Sequence, residues 1–262
     1  MRILILGGTS EARRLAQHLS GDHRFDAIIS LAGRTTAPSP LPLPTRIGGF
    51  GGAEGLHRYL VDERICAVID ATHPFAVRIS ANTVVAANSA SVPIGSLVRP
   101  PWEARDGDTW SVVASPLEAA QALGEAPRRV FLTVGRLELA AFASAPQHTY
   151  IARTIDPAGD ISLPPEMSFI QARPPFDPQA EEAFLIRERI DVIVSKNSGS
   201  DETYGKIAAA RALQIPVVMI ARPPKAQGVP LADIEAALAW LDALNAARSA
   251  HNPHDARSPR GV

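Results

Sequence analysis

Two glycines and two hydroxyls, Gly7-Gly8-Thr9-Ser10, stand directly after an apolar run near the start of the chain, with Glu11 behind them. Glycine permits positive φ and close backbone approach, and Thr9 or Ser10 can cap a helix and offer a hydroxyl. Strand, tight turn and helix in this order aim backbone N–H groups and a helix dipole at a phosphate. The pattern is not GxGxxG, so an ordinary capped turn is the competing reading. After the first strand of an α/β unit, phosphate binding is preferred. Arg34 and Thr35 (LAGRTT, 31–36) lie where dinucleotide-binding folds otherwise carry an acidic residue for the ribose 2′-hydroxyl. An arginine there suits a 2′-phosphate, so NADP is expected over NAD, against the reading of a solvated surface arginine.

Three more stretches follow. Gly48, Gly49 and Phe50 sit in RIGGFGG (46–52), where Phe50 is either a lid over a ring or the apolar anchor of a loop. Ala71, Thr72, His73, Pro74 and Phe75 follow the apolar strand VID, at the carboxyl end where open parallel sheets bind ligands. His73 is the candidate proton donor. The structural alternative has Thr72 or His73 capping a helix, Pro74 in its first turn and Phe75 packed inward. Thr133, Gly135 and Arg136 (TVGR) and Lys196, Asn197, Ser198 and Gly199 (SKNSG) end two later strands and offer cations and backbone donors to carboxylates or phosphates. Two plain βα turns, with Asp201 and Glu202 complementing a helix dipole, would look the same.

Other chemistries lack their residues. There is no GxSxG elbow, HExxH, Walker A lysine motif or helical YxxxK; in TYGK (203–206) the lysine is two residues after Tyr204, on another helix face. Cys66 is the single cysteine, so neither a disulfide framework nor a cysteine-rich metal site is expected. A net charge of −1 gives no electrostatic case for nucleic acid or an anionic membrane. The opening MRILILGG is too short for a signal segment, and no apolar run approaches the ~20 residues of a membrane span. A cytoplasmic protein is expected.

The elements that must position these residues alternate throughout. Continuous apolar runs at 2–6, 27–31, 67–70 and 94–97 read as strands buried on both faces, with helices over 9–19, 56–62 and 74–87 between them. Further runs at 109–113, 129–134, 148–153, 167–171, 191–195 and 217–220 alternate with helical segments, the last at 231–244. The spacing predicts two Rossmann-like doubly wound α/β domains with mainly parallel sheets and a cleft between them. A nucleotide-binding domain is expected over 1–98 and a second over 109–245. A proline-rich crossing (99–108) joins them, and 246–262 reads as a disordered tail.

GGTSEAR, RIGGFGG, DATHPFA and SKNSG in this order resemble the precorrin-6A reductase family of cobalamin biosynthesis, over roughly residues 1–245. The resemblance implies reduction of one carbon–carbon double bond of precorrin-6A to precorrin-6B by a reduced nicotinamide nucleotide, NADPH if Arg34 holds its phosphate. It makes a tetrapyrrole the partner, with other cobalamin-pathway enzymes beside it. The macrocycle's acetates and propionates would meet Arg136, Lys196, Arg99 and the 197–199 backbone. Trp102 would stack on the ring or serve as a buried hinge anchor. Positioning is expected to outweigh acid catalysis, leaving His73 a secondary donor. The alternatives are the cobalt-precorrin-6A reductase of the anaerobic pathway, a non-catalytic NADP-binding sensor and a sugar-nucleotide transferase.

Overall fold

Ile3 and Ile5 pack on one face of the first strand and Leu4 and Leu6 on the other, all four fully or almost fully buried. That is why the run RILIL is apolar without alternation: a parallel strand with helices on both sides has no solvent face. The computed structural model describes residues 1–33, 40–157 and 162–251. Its first part runs β1 (Arg2–Leu6), α1 (Ser10–Leu19), β2 (Asp26–Leu31), β3 (Thr45–Ile47), α2 (Gly52–Asp62), β4 (Ala67–Asp70), α3 (Val77–Ser89) and β5 (Ile94–Leu97). Then come β6 (Trp110–Val113), α4 (Pro116–Ala122), β7 (Arg129–Thr133), a 3-10 helix (Arg136–Ser144), β8 (Thr149–Thr154) and β9 (Met167–Gln171). The chain continues with α5 (Pro178–Arg187), β10 (Val192–Lys196), a short 3-10 turn (Asp201–Thr203), α6 (Gly205–Ala212), β11 (Val217–Ile220), β12 (Val229–Leu231) and α7 (Ile234–His251).

The strands form two six-stranded sheets in which every pairing is parallel, in the orders β3-β2-β1-β4-β5-β12 and β9-β8-β7-β10-β11-β6. Both follow the doubly wound dinucleotide-fold order, with a switch point between β1 and β4 in one and between β7 and β10 in the other. The sixth place is filled differently in the two sheets. β12, near the end of the chain, completes the first sheet, and β6, directly after the first run of strands, completes the second.

The units differ from the expected domains chiefly in the last part of the chain. One unit comprises Met1–Arg99 and the chain from Pro224 on; the other is Pro100–Pro223. Thus 99–108 is not a free crossing, because Trp102 lies in the core of the second unit with Phe131, Phe184 and Ile193. Nor does the last helix belong to that unit: Ala237 and Leu241 of α7 share a core with Leu15 of α1 and Leu97 of β5. The sequence signal for β12 is weak, since a three-residue strand with a central proline is tolerated only at a sheet edge. The partner strand supplies the space, for a Cβ on Gly95 would stand 2.6 Å from Leu231 Cδ1. β3 is equally short. α7 runs through His251, so 246–251 is helical rather than tail, and 252–262 falls outside the described residues.

Two buried lysines tie the turns to the framework of each unit. In the first, Lys225 lies within 3.4 Å of Asp70 Oδ2 and donates to Thr72 Oγ1 at 3.0 Å, its side chain 5% exposed and that of Asp70 1%. Breaking a buried pair leaves a charge unmatched. Lys225→Met should therefore lower the unfolding free energy by about 3 kcal/mol, and adding Asp70→Asn should restore part of it, read from urea titrations. A single-variant loss below about 1 kcal/mol would show that the pair is of the weak, solvated kind.

In the second unit, Lys206 Nζ donates to Thr203 O at 2.7 Å and lies 4.9 Å from the Trp102 ring. Burial, helped by the like charge of Arg153 and opposed by Glu181, pushes its ammonium down to about 7 from the usual 10.5. The unfolded chain then binds the extra proton between these values, so this group makes stability rise with pH across that window and depresses it below. Lys206→Met should gain most over the parent at pH 6 and progressively less toward pH 9; a pH-independent difference in urea midpoints would contradict the assignment.

Candidate nucleotide and anion sites

At the first switch point the turns after β1 and β4 are joined by one side chain. Thr9 is the N-cap of α1: its Oγ1 accepts from the Ala12 N–H at 3.2 Å and donates to Ala71 O at 2.7 Å. The capping role expected from sequence holds, but the hydroxyl proton is committed to the neighbouring turn. Gly7 is needed for packing, since a Cβ there would meet Ile29 Cδ1 at 2.9 Å. Gly8 has φ +115 and nothing within 4 Å of a Cβ position, leaving an open backbone surface beside the helix start. Ser10 Oγ donates to Glu11 Oε2 at 3.3 Å, and Glu11 is paired with both Arg99 and Arg14. Arg99, expected at the substrate, is thus a neighbour of the α1 first turn, where it offsets a carboxylate.

The glycine loop is organised by a residue the sequence reading passed over. Arg46 donates to Gly48 O at 2.6 Å and Gly49 O at 2.8 Å while its guanidinium lies 3.9 Å from the Phe50 ring centre. Phe50 also meets Tyr59 edge-on at 5.1 Å and packs against the core that holds Leu56 and Leu60. Phe50 is thus half-buried, with its ring held by Arg46 and Tyr59. Gly48, Gly51 and Gly52 all have positive φ, and α2 begins inside the cluster at Gly52.

Beyond β4, buried Asp70 shapes the turn. Its Oδ1 accepts from the Thr72 N–H at 3.0 Å and the Thr72 hydroxyl at 2.6 Å, and its Oδ2 accepts from Ser80 Oγ. Neither Thr72 nor His73 caps α3. The helix starts at Val77 with Ala76 as an N-cap that makes no side-chain bond. Thr72 is held by Asp70 and Lys225 too early in the chain to reach the helix start. His73 Nδ1 accepts from the Phe75 N–H at 3.2 Å, and the Ala76 N–H donates to His73 O at 2.8 Å across a Pro74-Phe75 turn. Pro74 therefore belongs to that turn, not to the helix. With Nδ1 accepting, the neutral ring carries its proton on Nε2. Arg34 and Thr35 lie outside the described residues.

The second switch point, in the other unit, lies between Thr133 and Lys196. Thr133 Oγ1 donates to Val194 O at 3.1 Å. The Gly135 N–H and Lys196 Nζ both reach Glu138 Oε2, at 2.6 and 2.9 Å. Arg136 is exposed and donates to Pro157 O at 3.2 Å. Asn197 is a structural clamp: Oδ1 accepts from the Trp102 N–H at 2.7 Å and Nδ2 donates to Trp102 O at 2.8 Å. Trp102 itself is 9% exposed and edge-on to Tyr204, which fits the buried anchor and removes the stacking surface. Ser198 Oγ lies 3.2 Å from Thr203 Oγ1. Gly199, at φ +70, passes so close to Pro100 O that a Cβ would stand 2.0 Å away. Arg222 fastens this turn, donating to the carbonyls of Asn197, Ser198 and Pro100 at 2.9 to 3.0 Å.

Sequence reasoning thus missed Arg46, Asp70, Ser80, Glu138, Arg222 and Lys225. Asp70 alone carried a local signal, an Asp two residues before a Thr at a strand end, which favours a side-chain turn. Arg222 and Lys225 act on turns 25 and 153 positions away in the chain.

The profile of the family described as precorrin-6x reductase CbiJ/CobK matches residues 2–242. Over 222 residues the chain is 54% identical to a precorrin-6A reductase of Sinorhizobium sp, covering 84% of this chain and 85% of that one. With the precorrin-6A reductase of Rhodobacter capsulatus the identity is 46% over 241 residues, 92% and 95% of the two chains. The solved structure described as CobK precorrin-6A reductase superimposes with a TM-score of 0.88 at 43% identity, covering 100% of this chain and 99% of the other. Profile, sequence and fold agree over nearly the full length, and the chain belongs to the precorrin-6x reductase CbiJ/CobK family.

Proposed function

We propose that the chain reduces a carbon–carbon double bond of precorrin-6A to give precorrin-6B, with NADPH as reductant, in the cytoplasmic synthesis of cobalamin. The observation that carries this reading is membership of the reductase family over residues 2–242. It favours an oxidoreductase over a non-catalytic sensor. Among the described residues no helix is long and apolar enough to cross a membrane.

The residues of the first unit fit a dinucleotide. Gly7 and Gly8 form a cradle with room at Gly8 for close approach, at the N-terminal end of a ten-residue helix. Glu11 in that first turn would repel a pyrophosphate, and its pairing with Arg99 and Arg14 offsets the charge. Gly48, Gly49 and Phe50, set by Arg46, would border the nucleotide, and Arg34 and Thr35 would take the 2′-phosphate. Bound NADPH supplies the hydride. The chain's own part is orientation: Thr9 locks the Gly8 and Ala71 turns together, and Asp70 with Lys225 fixes Thr72 and the His73 turn. In the second unit, Gly135, Lys196 and Arg136 are the groups suited to substrate carboxylates. Thr133, Asn197, Ser198 and Gly199 hold those groups in place, and the macrocycle's conjugated nitrogens can absorb electron density during reduction.

The direct test is loss of nicotinamide absorbance on mixing with precorrin-6A. Oxidation of NADPH should require the tetrapyrrole, and Arg34→Ala should raise the KM for NADPH about tenfold or more while leaving that for NADH in place. Turnover without tetrapyrrole would sink the reading, and equal weakening of both cofactors would remove Arg34 from the 2′-phosphate. If positioning dominates, His73→Asn should slow single-turnover reduction by less than about 10²-fold with an unchanged pH profile. A larger drop that removes a titration from the profile would make His73 the general acid.

A further inference from the structure

We propose that Glu138 is an internal stand-in for a substrate carboxylate, holding the anion-binding donors of the second switch point until the substrate displaces it. The inference rests on the reading that the turns after β7 and β10 take carboxylates of the macrocycle. The observation is that those turns are already doing so. One carboxylate oxygen, Glu138 Oε2, receives the Gly135 N–H from the turn after β7 at 2.6 Å and the Lys196 ammonium from the end of β10 at 2.9 Å. Glu138 Oε1 adds a second contact to Lys196 at 3.2 Å. A backbone N–H and a cation converging from the two strands that flank a switch point are the donors a ligand carboxylate would use there.

The pair is built to exchange. Glu138 remains 28% exposed at its side chain and Lys196 16%, and Glu138 stands in the first turn of the 3-10 helix Arg136–Ser144, where its bond to the Gly135 N–H also caps the helix. A pair that still reaches water can pass the lysine from one carboxylate to another without leaving a sealed charge unmatched. The contrast within the same unit is Arg153–Glu181, two parallel bonds of 2.9 and 2.8 Å at 9% and 5% exposure, stacked on Phe176 and Phe131. That pair is sealed in the core and has no route to exchange.

Two consequences follow for function. The Lys196 ammonium and Gly135 N–H stay aimed at one point before substrate arrives, so binding does not have to order them. A simple anion must displace Glu138 with one contact, whereas a ligand carrying many carboxylates brings the rest of its binding energy to the exchange. Glu138 therefore raises the threshold for small anions and sets specificity for a polycarboxylate.

The test is steady-state reduction of precorrin-6A by NADPH with Glu138→Gln, Lys196→Met and the double variant. Glu138→Gln keeps an oxygen for the Gly135 N–H while removing the competing charge. It should lower the KM for precorrin-6A about two- to five-fold, with kcat and the KM for NADPH unchanged. Inhibition by added acetate should appear at lower concentration. The gain should vanish in the Lys196→Met background. Glu138→Ala, which removes both contacts, should shift KM in the same direction and serves if the Gln variant does not fold. A raised or unchanged KM in Glu138→Gln, with Lys196→Met raising it, would overturn the proposal and make Glu138 a support for Lys196. A KM for precorrin-6A unaffected by Lys196→Met would instead sink the carboxylate reading of these turns, and the stand-in role with it.

Discussion

A parallel sheet must be covered on both faces, and most of this molecule follows from meeting that requirement twice. Covering both faces forces strand and helix to alternate, and makes the inner strands apolar without interruption, as in RILIL and AVID. Alternation in turn places every βα turn at the carboxyl edge of its sheet. Where the winding reverses, between β1 and β4 or between β7 and β10, the two turns part and leave backbone donors beside an opening. Gly7, Gly8, Thr9 and the Thr72–His73 turn stand at the first of these places and Gly135, Lys196 and the 197–199 turn at the second, each within its own unit.

The edge strands have different origins: β6 opens the second unit's own run of chain, whereas β12 joins the first sheet from beyond the second unit. The return of the chain to the first sheet also delivers Lys225 to Asp70, so the segment that closes the sheet fixes the turn beside its switch point. The segment that leads into β12 thus also holds Thr72, the residue before His73.

Polar groups at the switch points are largely committed to the protein itself. The Thr9 hydroxyl goes to Ala71, the Thr72 hydroxyl to Asp70 and the Asn197 amide to the backbone of Trp102. A hydroxyl or amide in such a turn is cheapest when satisfied within the chain, because a buried unmatched donor costs more than a bond returns. The Gly135 N–H and Lys196 are committed as well, to Glu138, and Arg136 donates to Pro157 O, while the backbone at Gly8 has open space beside it.

The sequence by itself determined the fold class, the family and the placement of most elements, because periodicity and glycine turns are local and survive in one dimension. The apolar runs at β1, β4, β10 and β11, short and bounded by turn residues, suit strands buried on both faces, and four ordered motifs carried the resemblance. What only the tertiary structure decided involves partners distant in the chain. β3 and β12 are three residues each and exist because a neighbouring strand offers a ladder; the boundary at 99/100 lies at the edge of the proline-rich crossing, whereas the return to the first unit at 223/224 rests on the pairing of β12 with β5. Whether Thr72 capped a helix or held a carboxylate depended on Lys225, and whether Trp102 stacked on a ligand or filled a core depended on Asn197 and Tyr204. A residue's type sets which bonds it can make; which of them it does make is set by what the fold brings within about 3 Å of it.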